Sequence, residues 1–103
     1  MNPWWCGMLM FSCSWGFACK TYELPPSPAD QFKKYCSNCH GLNGNLSING
    51  AIKLQYSLLN LEERKLIIAN GRNAMTGFSK ILSPLEIQQL AEYTLELKSK
   101  TDQ

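Results

Sequence analysis

The chain has 103 residues, with ten basic and eight acidic side chains for a formal charge of +2. That length suits one domain and excludes a multidomain enzyme or a polytopic membrane protein, while so small a charge excess gives no reason to expect a nucleic-acid partner. Residues 1–19 carry none of the charges but all three Trp, three of the four Met and three of the five Cys, leaving the remainder two Cys, one His and one Met. A body of that size buries a modest core, and such domains commonly depend on a staple, a metal or a cofactor.

In chain order, residues 1–19 read as an export signal. An apolar stretch from Pro3 to Ala18 ends in the small-x-small pair Gly16 and Ala18, and the first charge, Lys20, follows directly. The basic start usual in such leaders is missing. An uncleaved span is the alternative, but a Ser- and Gly-interrupted run is short for a hydrocarbon core about 30 Å thick. Gly16-Phe17-Ala18-Cys19 resembles a bacterial lipobox, apart from Gly16 where an aliphatic is preferred, which makes Cys19 a candidate for lipidation. Residues 20–28, with Pro25, Pro26 and Pro28, are expected to form an extended linker or tether.

Residues 29–103 carry helical patterns. From Ala29, the residues Phe32, Tyr35, Cys36 and Cys39 share one face. Glycines at 41, 44 and 50 and several Asn then predict a loop. A second helix is predicted over Leu61–Ala69, capped by Asn60 with Glu63 as its box partner and closed at Gly71, with Leu61, the Lys65 stem and Ile68 on its core face. A third starts at Ser83-Pro84 with Glu86 as box partner. Its inward stripe is Ile87, Leu90, Ala91, Thr94 and Leu97, and Lys98 and Lys100 favour the helix dipole. The chain has no Val and no convincing period-two alternation. The expectation is all-α, with three or four helices and long loops that need something to pack against.

Cys36-Ser37-Asn38-Cys39-His40 is a C-x-x-C-H motif, the pattern of covalent c-type haem attachment. Two thiols on one helical turn can add across the two vinyl groups on one porphyrin edge, and the adjacent His40 then sits beneath the iron. A redox dithiol would call for a βαβ setting, and none is visible. A zinc site would need four ligands, and the body offers two Cys and one His. With a single His, bis-His ligation within the chain is excluded. Met75 is the one Met after the leader and lies in a loop between predicted helices, so it is the candidate sixth ligand rather than core filler. His/Met ligation closes the iron and suits electron transfer.

Residues 29–98 resemble a short class I cytochrome c of the bacterial type. The matching stretches are Tyr35-Cys36-x-x-Cys39-His40-Gly41 with Gly44, Ile68-x-Asn70-Gly71-Arg72 leading to Met75 and Phe78, and Leu82-Ser83-Pro84-x-Glu86-Ile87-x-x-Leu90-Ala91-x-Tyr93. The resemblance implies crossing terminal helices with Phe32 meeting Tyr93. It implies one covalent haem c, with Cys36 and Cys39 as attachment points and His40 and Met75 as axial ligands. Two departures stand out: Thr76-Gly77 follows Met75 where the family has Pro, and no Pro lies between His40 and Pro84. The first loosens the distal loop. The second means that another carbonyl, expected within Asn49–Leu54, must accept the His40 Nδ1–H bond.

Arg72 and Asn73 are candidate partners for a haem propionate. Lys33, Lys34, Lys53 and Lys80 are either ordinary surface lysines or a ring that steers an acidic partner. The expected function is a one-electron carrier, not an enzyme, serving redox proteins or a membrane electron-transfer complex. It is expected in the periplasm or on the extracytoplasmic membrane face, held there through Cys19 if that residue is lipidated. A permanent haem subunit of a respiratory or photosynthetic complex, or a gas sensor with a labile Met75, are the alternatives.

Overall fold

Ser27 starts the first helix. In the computed structural model, which describes Gly16 and residues 23–101, its hydroxyl accepts from the Asp30 N–H at 3.2 Å, and Pro28 takes the first helical position. Helix α1 (Pro28–Tyr35) therefore begins one residue before the Ala29 predicted. Asp30 in its first turn and Lys33 and Lys34 in its last turn complement the helix dipole. The leader and Cys19 lie outside the described residues.

The helical pattern through Cys39 is interrupted rather than continuous. Cys36 ends α1, its N–H donating to the Phe32 carbonyl at 2.9 Å, and a one-turn helix α2 (Ser37–His40) follows. A 3₁₀ turn over Leu54–Tyr56 punctuates the loop before α3 (Leu61–Asn70). The predicted capping box is present: Asn60 Oδ1 accepts from Glu63 N–H at 3.0 Å, and the Glu63 carboxylate accepts from Asn60 N–H at 2.8 Å.

One feature departs from a purely helical reading. After α3, strands β1 (Gly71–Arg72) and β2 (Met75–Thr76) pair antiparallel, Gly71 opposite Thr76 and Arg72 opposite Met75. Two-residue strands bury too little to show period-two alternation, so composition could not reveal them. Gly71, at φ +76°, makes the hairpin possible, because a Cβ there would collide with the Met75 carbonyl.

Helix α4 (Pro84–Thr101) starts as predicted, with Ser83 Oγ accepting from Glu86 N–H at 3.2 Å and the Glu86 carboxylate accepting from Ser83 N–H at 2.7 Å. Ile87, Leu90, Ala91, Thr94 and Leu97 are all buried, and each large apolar member contributes about 1.5–3 kcal/mol. The side chains of Lys98 and Lys100 lie outside the described residues. Helices α1 and α4 meet where Phe32 packs on Tyr93, ring centroids 5.4 Å apart and tilted 56°. The core joins Phe32, Ile68, Leu82, Ile87, Leu90, Ala91 and Leu97, so α1, α3 and α4 all face it.

Candidate functional site

The loop after α2 folds back over the attachment motif. Gly41 leaves the helix at φ +75°, and Leu46 and Ile48 donate their N–H groups to the carbonyls of His40 and Cys39 at 2.8 and 3.1 Å. Leu54 N–H then bonds the Gly44 carbonyl at 2.8 Å. This return brings the Ile52 carbonyl oxygen to 3.0 Å from His40 Nδ1. A carbonyl oxygen only accepts, so the proton sits on Nδ1 and the Nε2 lone pair is left for a metal. Ile52 lies within the Asn49–Leu54 window expected from sequence.

Burial pushes the half-buried His40 imidazole below its ordinary pKa, against the opposing pull of the Ile52 bond, and so favours the neutral, ligating form. Burial, and then the neighbouring Cys39 thiol, push the Cys36 thiol up to about 11. A redox dithiol depends on a lowered thiol pKa, so this environment disfavours that chemistry. Both thiols are free. Among the described residues, no group of three or more His, Cys, Asp or Glu is placed to hold a metal ion by itself.

Cys36, Cys39 and His40 line a cavity of about 400 Å³, a size typical of cofactor sites. Phe32 and Tyr35 on α1, Ile67 and Ile68 on α3, and Leu90 on α4 give it apolar walls, and Met75 on β2 lines it too. The residues fit a haem: two free thiols one turn apart, a neutral imidazole with a fixed tautomer, a thioether on the same cavity and greasy walls for a porphyrin. The Met75 segment is better anchored than its Thr76-Gly77 sequence suggests. Beyond the β1–β2 pairing, Phe78 and Ser79 donate to the Ile68 and Ala69 carbonyls at 2.8 and 3.1 Å, and Tyr35 packs on Phe78 with centroids 5.6 Å apart.

Arg72 and Asn73 both line the cavity at the hairpin, and both are exposed. Lys33, Lys34, Lys53 and Lys80 are exposed, and none of them lines it. The inward cation on α3 is not Lys65, which pairs with Glu62 at 3.1 Å, but Arg64, only 4% exposed. Positions 64 and 65 both sit at helical spacing from Leu61 and Ile68, so periodicity could not choose between them. What holds Arg64 inside comes from elsewhere in the chain: the carbonyls of Ser57 and Leu59 and the Thr94 hydroxyl.

A family profile described as "Cytochrome C oxidase, cbb3-type, subunit III" matches residues 23–93. The chain is 37% identical over 75 residues to a cytochrome c6 of Gloeothece citriformis, covering 67% of each chain. It is 34% identical over 89 residues to a cytochrome c6-like protein of Nostoc sp., covering 74% of this chain and 79% of that one. Among solved structures, the c-type cytochrome KustC0563 superposes with a TM-score of 0.64 at 23% identity, covering 71% of this chain and 99% of that one.

Proposed function

Since the chain belongs to the class I mono-haem c-type cytochromes and carries one covalently bound haem c, we propose that it is a one-electron carrier whose iron is held between His40 and Met75. When bound, the haem supplies an Fe(III)/Fe(II) couple. Cys36 and Cys39 would hold it as thioethers. His40 donates Nδ1–H to the Ile52 carbonyl, which fixes the ring and raises its basicity at Nε2. Met75, on a hairpin pinned to α3, would supply the second protein ligand to the iron and so leave no open site for a substrate. The observation that carries this reading is the His40–Ile52 hydrogen bond within a cavity that Met75 also lines.

We place the protein outside the cytoplasm, in the periplasm or on the outer face of the inner membrane, with Cys19 as a candidate lipid anchor. Among the described residues, no helix is long and apolar enough to cross a membrane. Its partners are redox proteins met through small, transient interfaces. The similarity to a profile named for an oxidase subunit favours a second reading, a permanent haem subunit of an electron-transfer complex. Co-migration with a large complex in a native detergent extract selects that reading, and migration as a small species selects the shuttle.

The test of the site is intact mass after expression with haem-attachment machinery. Wild type gains the mass of one haem, while the Cys36→Ala/Cys39→Ala double variant gains none. Retention of covalent haem by that variant would contradict the assignment. The same spectrum reports whether Cys19 carries lipid.

A further inference from the structure

Among the described residues, no carboxylate pairs with the buried cation Arg64. Its Nε donates to the Leu59 carbonyl at 3.0 Å, Nη1 to Thr94 Oγ1 at 3.0 Å and Nη2 to the Ser57 carbonyl at 3.3 Å, all neutral oxygens. A guanidinium has five N–H groups, so one on Nη1 and one on Nη2 have no acceptor among the described residues. Taking such a charge out of water is costly unless a counter-charge or further hydrogen bonds compensate it. Burial indeed pulls its pKa below the ordinary value. Arg64 lines the same cavity as Cys36, Cys39 and His40, and so do its partners Ser57, Leu59 and Thr94.

We propose that Arg64, rather than the exposed Arg72, is the anchor for a haem propionate, its two uncommitted N–H groups supplying the buried half of that ion pair. The inference rests on the haem reading of this cavity. The titratable and charged groups on the other walls are Tyr35 on α1, Cys36, Cys39 and His40 at the attachment turn, and Arg72 on β1. Helix α4 and the loop before α3 present the neutral Thr94 and Ser57 to the guanidinium. Arg64 is thus a positioning residue: it fixes one edge of the cofactor, holds that carboxylate ionised, and ties the segment before α3 to α4.

The test is the reduction potential of the holoprotein against pH, from about pH 5 to about pH 8, with haem loading checked by intact mass. An unpaired carboxylate near the iron takes up a proton within that window. Losing the proton as pH rises adds negative charge that favours Fe(III), so the potential falls. Wild type is expected to give a flat profile and Arg64→Met a potential that falls with rising pH. Arg64→Gln, which retains a donor toward Thr94 and is gentler on the fold, is expected to do the same, and Arg64→Lys to move the profile back toward wild type. Thr94→Val loses stability but keeps the flat profile, as a purely structural role for Arg64 would not require. A flat profile in haem-loaded Arg64→Met or Arg64→Gln, or pH dependence emerging in Arg72→Gln instead, overturns the proposal. A wild-type chain without the haem mass overturns the underlying cofactor reading.

Discussion

Phe32 on α1 and Tyr93 on α4 meet ring to ring, centroids 5.4 Å apart at a 56° tilt, with Phe32 only 1% exposed. This contact fastens the helix that leads into the attachment motif to the helix that forms the back of the core. The tilted geometry suits the ring quadrupoles, and the area buried by Phe32 dominates the energy. Phe32→Ala is expected to cost about 3–5 kcal/mol. Tyr93→Leu, which keeps most of the volume and loses the ring pair, is expected to cost about 0.5–1.5 kcal/mol. Chemical denaturation of the holoproteins measures both, and equal costs would contradict a contact dominated by the burial of Phe32.

The Met75 hairpin depends on a close backbone approach at Gly77. A Cβ there would meet the Asn70 carbonyl carbon at 2.5 Å and the Ala69 carbonyl oxygen at 2.7 Å, both main-chain atoms that cannot rotate away. Gly77→Ala is therefore expected to push the hairpin off α3 and weaken the proposed bond from Met75 to the iron. In that variant the reduced protein should bind added carbon monoxide at neutral pH, whereas wild type should not. Binding by wild type would instead favour the gas-sensor alternative.

Helix α4 is capped by a carboxylate that also reaches α1. Glu86 accepts from the Ser83 N–H at 2.7 Å and from Gln31 Nε2 at 2.8 Å, and the Ser83 bonds, backbone first, hold its pKa below the ordinary 4.5. A lowered folded-state pKa means that the unfolded chain binds more protons in this window. The resulting stability is complete above the ordinary value and disappears as pH falls through the lowered one. Glu86→Gln should flatten this part of the acid limb of a stability–pH profile, and an unchanged limb would refute the linkage. Ser83→Ala, which removes the cap itself, is expected to cost about 1 kcal/mol at neutral pH.

The ion pair of Lys65 with Glu62, one helical turn apart on α3, contrasts with Arg64 beside it. Glu62 is largely exposed, and solvent screens such pairs. Glu62→Gln should change stability by under about 0.5 kcal/mol, as judged by thermal unfolding in low and high salt. A larger, salt-sensitive loss would show that the pair matters more than its exposure implies.

Signals confined to a few neighbouring residues were readable without the structure. Asn60 with Glu63 and Ser83 with Glu86 mark helix starts because a side chain and a backbone N–H three residues apart satisfy each other locally. The α4 stripe was readable because five buried positions share one spacing, and C-x-x-C-H because its chemistry needs no distant partner. What escaped is set by long-range closure. Ile52 could be narrowed to a window but not named, because the return of the loop over α2 selects the carbonyl. Arg64 was hidden because its acceptors come from the segment before α3 and from α4. The hairpin was hidden because Gly71 and Gly77 act through close approach rather than through any apolar pattern.

Closure of the iron by His40 and Met75 would show in the far-red absorption of the oxidised holoprotein. Methionine ligation to ferric haem gives a weak sulfur-to-iron charge-transfer band in that region. The band is expected in wild type at neutral pH and is expected to be lost in Met75→Ala with covalent haem retained. A wild-type spectrum without the band, or a band that survives in Met75→Ala, would contradict that closure.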